Sequence, residues 1–350
     1  MSASAVLNRS RTTAHFSAET RERILAAAAE LRYRPNLAAR SLAKRRIQTI
    51  GVAAVMEGGG LNHYFLEIFS GIMAAAARHD QSTTVFALHA WKEDPASLYD
   101  LCDGRIDGLV LLAPTFGRRG TRPPPAHTPF VSVHANHLSP GIVNIESDEE
   151  AGAFALVNHL IALGHRRIMH LTGPAGLTGA ERRIHGYKRA LAEARLPFER
   201  HWLVTGGYTS ELGREAMRTW LRQFQGRPLP QAVFCANDAS ALGCIEALAE
   251  VGLRVPGDVS VAGFDDTLAA RSVVPQLTSV RQPLHEMGTC AVDRLLALIN
   301  HPVVASDAVL ESVVFPVTLA LRASVDAPPG SDRLAPASQS DDAADCVAHT

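Results

Sequence analysis

The sequence predicts an α/β protein with two doubly wound parallel sheets, preceded by a small all-α head. Three observations carry the prediction. From residue 49 onward, short β-branched apolar runs alternate with amphipathic stretches, as buried parallel strands alternate with covering helices. The alternation closes near residue 145 and resumes at 165, after the helical stretch "DEEAGAFALVNHLIALGH", so two sheets fit better than one. Ahead of residue 49 there is helix-forming sequence and no strand signal.

Taken in order, residues 18–31, "AETRERILAAAAEL", are rich in strong helix formers, with Ile24, Leu25, Ala28 and Leu31 at helical spacing. Ser17 is placed to cap this helix, Thr20 stands where a capping box carries Glu, and Pro35 bounds it. Pro35-Asn36 opens a second, very short helical run that ends in Lys44-Arg45-Arg46. Strands are expected at 50–55, 83–88, 108–112, 130–134, 167–172, 202–205, 232–236 and 259–263. Helices are expected near 64–79, 95–103, 148–163, 179–195, 210–224, 238–251 and 285–300. Residues 117–129, with Pro123-Pro124-Pro125, read as a loop, and the Pro-, Ser- and Asp-rich tail 326–350 reads as disordered.

At 350 residues, with 47% hydrophobic and 20% charged content, the chain can bury sizeable cores. No apolar run is long enough to span a bilayer, and the N-terminal stretch lacks the apolar centre of a secretory signal; the expectation is a cytoplasmic protein with no membrane partner. The five cysteines show no CxxC spacing and read as buried thiols rather than zinc ligands or disulfides. The net charge of −1 hides an asymmetry: residues 1–50 carry ten Arg/Lys against three acids, a balance of +7 that leaves −8 on the remainder. A basic head on an acidic body suits a polyanion partner for the head alone.

No P-loop, GxSxG elbow, HExxH or GxGxxG is present, which argues against an enzyme, and no His cluster has metal-ligand spacing; neither a metal nor another cofactor is expected. Polar residues fall where strands end, at "SD" 147–148, "AND" 236–238 and "GFDD" 263–266. Ligands of open α/β sheets bind at those carboxyl ends. Asp238 fits the N-cap of the next helix, whereas Asn237 and Asp265 sit one step closer to their strands. Arg183, in "ERRIHGY", starts a helix facing the same end and suits a bidentate grip on hydroxyls or a carboxylate.

These pieces, in this order, resemble the LacI/GalR family of bacterial transcription regulators. The likeness is carried by "FSAETRERILAAAAELRYRPNLAARSL" (16–42), "NHYFLEIFSGI" (62–72), "IDGLVLL" (106–112), "ESDEEAGAFALVNHLIALGHRRI" (146–168), "RRIHGY" (182–187), "CANDASALGCIEALAEVGLRVPGDVSVAGFDD" (235–266) and "LTSVRQPLHEMG" (277–288). The resemblance implies a helix-turn-helix head over 1–34, a hinge helix and linker over 35–48, and a periplasmic-binding-protein-like core over 49–325. Within that core, an N-subdomain would take 49–147 and 277–300, and a C-subdomain 148–276 and 301–325. It further implies a homodimer that binds double-stranded operator DNA and holds a small effector in the cleft between subdomains; carboxylates and amides with one Arg and few aromatics suit a polyhydroxylated effector, a sugar or sugar derivative first and a nucleobase second.

By the same resemblance Leu42 is a minor-groove wedge, Asn36 and Ala39 lie in that groove, and Arg40 and Lys44 lie near phosphates. A hinge of seven residues is too short to be stable alone and is expected to fold on DNA. Ser2, Ser4 and Asn8 correspond to the later part of the recognition helix, because "SASAVLN" matches there and the family's first helix has no counterpart. Two expectations follow: an operator-binding repressor, or an effector-binding protein that has lost specific DNA recognition. For the effector, the resemblance nominates Asn62, Phe65, Asp148, Arg183, Asn237, Asp265 and Gln282.

Overall fold

In a computed structural model of the chain, the described residues are 6–7, 17–33, 46–56, 62–91, 95–116, 127–224, 228–301 and 310–329. The head helix α1 spans Ala18–Glu30, and the Ser17 side chain caps it by accepting from the Thr20 backbone N–H at 3.2 Å. None of its side chains is buried. Ser2, Ser4, Asn8, Asn36, Ala39, Arg40, Leu42 and Lys44, all expected to meet DNA, lie outside the described residues.

The rest divides into two units. The first is built on strands β1 (Thr49–Val55), β2 (Ser82–Leu88), β3 (Gly108–Leu112), β4 (Phe130–Val133), β5 (Val143–Ser147) and a late strand, Val313–Phe315. Its sheet runs, from one edge, Val313–Phe315, β5, β4, β3, β1, β2, with all five ladders parallel. β3 is an unbroken apolar run buried on both faces, and β1 and β4 are nearly so, interrupted only by Thr49 and Ser132. One face is covered by α2 (His63–Arg78) and the late helix Leu284–Asn300, whose Leu284, Met287, Ala291, Val292 and Leu295 share a core with Ile68, Ile72, Val52 and Val110. The two helices touch backbone to backbone. A methyl at Gly71 would overlap the His285 carbonyl oxygen, and one at Gly288 would overlap that of Ile68. The other face is filled by Ala53, Phe86, Leu98, Ile106, Leu109, Leu111 and Phe130.

The second unit carries α3 (Glu149–Ala162), β6 (Ile168–Thr172), α4 (Thr178–Glu193), β7 (Leu203–Thr205), α5 (Ser210–Gln223), β8 (Ala232–Cys235), α6 (Asp238–Glu250), β9 (Ser260–Asp265), α7 (Leu268–Ser272) and β10 (Thr278–Arg281), with Glu149 itself, Gly176–Glu181 and Arg281 grouped in the first. The chain then forms α8 (Leu284–Asn300) and β11 (Val313–Phe315) in the first unit before ending in β12 (Thr318–Ala320). The second sheet is ordered β12-β10-β9-β8-β6-β7, parallel in its β7-β6-β8-β9 half.

Four expectations need correction. Residues 310–318, expected in the C-subdomain, group with the first unit, because β11 pairs with β5. The expected helix near 95–103 is a 3₁₀ turn, Pro95–Leu101. β5 and β10 to β12 were not foreseen as strands. Residues 326–329, expected in the disordered tail, are placed: the Asp326 carbonyl accepts from His165 Nε2 at 2.9 Å and from the Ser260 hydroxyl at 3.0 Å, and its N–H returns to that hydroxyl at 3.1 Å. These bonds hold the chain onto the second unit, and residues 330–350 lie outside the described residues.

Candidate functional site

In the second unit the strand ends carry a cluster of buried polar groups. β8 is followed by Ala236 and Asn237, and the Asn237 side chain caps α6 in a reciprocal capping box with Ser240 (2.9 Å from the Ser240 N–H, 3.1 Å from the Asn237 N–H to the Ser240 hydroxyl). Its amide N–H also donates to the Tyr208 carbonyl at 3.0 Å. The cap expected of Asp238 is therefore made by its neighbour. Asp238 instead turns inward and accepts from the Ser279 hydroxyl at 2.6 Å, the Thr267 N–H at 2.7 Å and the Thr267 hydroxyl at 2.9 Å. Burial pushes its carboxyl up to about 6, against the pull of those three bonds and with a further push from Asp266. Thus Asp238 ties the start of α6 to the loop after β9 and to β10.

Asp265, the last residue of β9, and Asp266, the first of that loop, are both buried, with φ of 111° and 56°. Asp266 is fixed from both sides. Its N–H donates to Ser279 Oγ at 3.1 Å, and its carboxylate pairs with Arg322 at 2.6 Å. Arg183, on α4, is only 5% exposed; its guanidinium donates to the Ala236 carbonyl and lies 4.0 Å from the ring centre of Phe264 and 5.7 Å from that of Tyr208. Arg183, Asn237 and Asp265 are so brought to one end of one sheet. Beneath them His170 stacks on Phe234 at 4.2 Å and donates Nδ1–H to the Phe234 carbonyl at 2.9 Å. Burial pushes His170 down to about 4, so it is neutral near pH 7.

The first unit has its own polar end. Asn62 is exposed and caps α2 through a bond from the Phe65 N–H at 3.0 Å; Phe65 packs half-buried on the first core. Gln282 is buried, and its Oε1 accepts from the Ser147 hydroxyl at 2.5 Å. Ser147 N–H donates to His134 Nε2 at 3.2 Å, which leaves His134 Nδ1–H to donate to the Tyr64 hydroxyl at 2.5 Å. Asp148 is exposed, and its N–H binds the Phe315 carbonyl at 2.9 Å. Tyr64, His134 and Ser147 were not singled out from sequence as partners of Gln282. The available signal was His134, a polar residue directly after a buried strand.

Among the described residues, no group of three or more His, Cys, Asp or Glu is placed to hold a metal ion, and no helix is long and apolar enough to cross a membrane. Chemically, the second unit offers a forked cationic donor beside carboxylates and amides, and the first offers a chain of neutral donors and acceptors. Such sets recognise hydroxyl-rich small molecules by many directed bonds.

Comparison with known proteins agrees with this architecture. Residues 157–325 match the family described as a periplasmic binding protein-like domain. A probable HTH-type transcriptional repressor, ExuR of Bacillus subtilis, is 30% identical over 317 residues, covering 88% of this chain and 91% of the relative. The ribose operon repressor of Haemophilus influenzae is 31% identical over 298 residues, covering 85% and 87%. Among solved structures, a lac repressor dimer bound to operator and the anti-inducer ONPF superposes with a TM-score of 0.76 at 28% identity, covering 93% of this chain and 94% of that one. The expectation of a protein that has lost DNA recognition finds no support among relatives that are named repressors. With a likeness that runs through head and core alike, the chain belongs to the LacI/GalR family of DNA-binding transcriptional regulators.

Proposed function

We propose that this protein is a cytoplasmic, homodimeric repressor, without enzymatic activity, whose operator affinity is set by a sugar or sugar derivative. Arg183, Asn237 and Asp265 contact the effector from the second unit, and Asn62, Phe65, Asp148 and Gln282 contact it from the first. The observation that carries the reading is Arg183, a buried guanidinium held over Phe264 beside the positive-φ Asp265. A cation so placed can grip two vicinal hydroxyls while Asp265 accepts from another. Asn36, Ala39 and Leu42 enter the minor groove, Arg40 and Lys44 meet phosphates, and Ser2, Ser4 and Asn8 belong to the recognition helix. Effector binding shifts the equilibrium between two hinge arrangements, a coupling of ~1–3 kcal/mol in such systems.

Thermal unfolding against a panel of mono- and disaccharides and uronic acids tests the site. A ligand that raises the melting temperature of the wild type is expected to have no effect on Arg183→Ala or Asp265→Ala. An undiminished rise in both variants refutes the assignment. Gel shift of the wild-type chain, with and without that ligand, tests the regulation.

A further inference from the structure

The three residues that leave the hinge, Arg46, Ile47 and Gln48, are fastened to the first unit at two points. The Asp107 carboxylate accepts from the Ile47 N–H at 2.9 and 3.1 Å and from the Gln48 N–H at 2.7 Å, and its own N–H donates to the Thr49 carbonyl at 2.7 Å. Arg46 reaches the last turn of α8, donating to the Ile299 carbonyl at 2.8 Å and to Asn300 Oδ1 at 2.7 Å. A cation on carbonyls that end a helix satisfies acceptors with no intrahelical partner and complements the helix dipole. Arg46 closes the basic run Lys44-Arg45-Arg46, yet its guanidinium is turned onto protein.

The two fastenings meet on one element. Residue 108, next to Asp107, is a glycine, and a methyl there would stand 2.8 Å from Leu295 Cδ1 and 3.1 Å from Ile299 Cδ1. The last turns of α8 therefore press directly on the strand that carries the Asp107 clamp. At its other end α8 starts right after Gln282, which holds Ser147 and through it His134 and Tyr64. Its 17 residues, about 25 Å of helix, join the polar end of the unit to the hinge exit without a break. The backbone contact with α2 through Gly71 and Gly288 leaves little room for bending between the two ends.

We infer that Arg46 and Asp107 are positioning residues for operator binding. They lock the hinge exit to α8, so that a change at Gln282 reaches the DNA-binding head as a movement of one helix. The part played by Gln282 rests on the effector reading above; the clamp itself does not. Arg46→Gln, Asp107→Asn and Lys44→Gln are made in the full chain, and binding is measured over a salt series with a duplex that the wild type selects from a random library. Arg46→Gln is expected to weaken binding by about tenfold with the salt slope and melting temperature unchanged, because no phosphate contact is lost. Lys44→Gln is expected to flatten the slope by about 0.9, the value for one phosphate. Hydrogen exchange is expected to quicken by about tenfold at the Ile47 and Gln48 amides in Asp107→Asn while β1 stays protected. A slope flattened by about 0.9 in Arg46→Gln, or unchanged exchange at Ile47 and Gln48 in Asp107→Asn, overturns the inference. If the wild type selects no duplex, the DNA reading of the protein falls, and exchange alone decides the clamp.

Discussion

Replacing Asp238 with Asn tests whether burial or hydrogen bonding governs the polar knot of the second unit. In the folded protein the Asp238 carboxyl is pushed up to about 6 from its ordinary 3.8, chiefly by burial, with Ser279 and Thr267 pulling the other way. A group raised on folding holds its extra proton in the native state. Its stabilising contribution is complete below about 3.8 and is lost as pH climbs through about 6. At ~1.4 kcal/mol per pH unit, that interval corresponds to about 3 kcal/mol. Asn has no proton to lose, so wild type minus Asp238→Asn should fall by about that amount between pH 4 and pH 7, while carboxylates that do not interact with Asp238 cancel in the difference. Trp202 and Trp220 lie in the second core and Trp91 in the first unit, so urea unfolding followed by tryptophan fluorescence in a Trp91→Phe background reports the second unit alone. A flat difference, or one that grows with pH, would refute the reasoning. It would mean that the three donors on Asp238 outweigh its burial.

Gly71→Ala forces a methyl against the His285 carbonyl oxygen, so the first unit should lose about 1–3 kcal/mol, read as a lower urea midpoint. Tyr64→Phe strips His134 Nδ1–H of its hydroxyl acceptor and should cost about 1 kcal/mol in the same assay. Cys235 and Cys244 are buried, and burial pushes the Cys235 thiol well up; at pH 8 both should resist a disulfide reagent until the protein is denatured. Rapid native labelling of either would contradict their packing.

What could be read ahead of the structure followed hydrophobicity. β1, β3, β6 and β8 are nearly uniform apolar runs, and their places were legible because a parallel strand buried on both faces has no polar side to show. β5 was hidden for the opposite reason. Its Asn144 and Glu146 are buried but satisfied, Asn144 accepting from Ser132 and the Ala135 N–H and donating to Glu146, and such partnerships leave no trace in a hydropathy pattern. β11 and β12 are three residues each, too short for any period to register. At the candidate site, the cap expected of Asp238 fell to Asn237, since either side chain can cap a helix and only the positions of Thr267, Ser279 and Tyr208 decide between them. The family resemblance supplied the residues; the bonds that aim them came from neighbours far along the chain.

The late arrival of α8 and β11 in the first unit bears on how this protein is made. When the ribosome has released the chain through Glu149, five strands of the first sheet exist, yet its edge partner and one of the helices that cover it do not. Roughly 130 further residues must emerge before Leu284, Met287 and Leu295 can close over Ile68 and Ile72. At about 5–20 residues per second that is a wait of roughly 7–30 seconds with an apolar sheet face only partly covered. The first unit is thus begun first and finished nearly last, so a sequence-early core waits on sequence-late helix and strand to close.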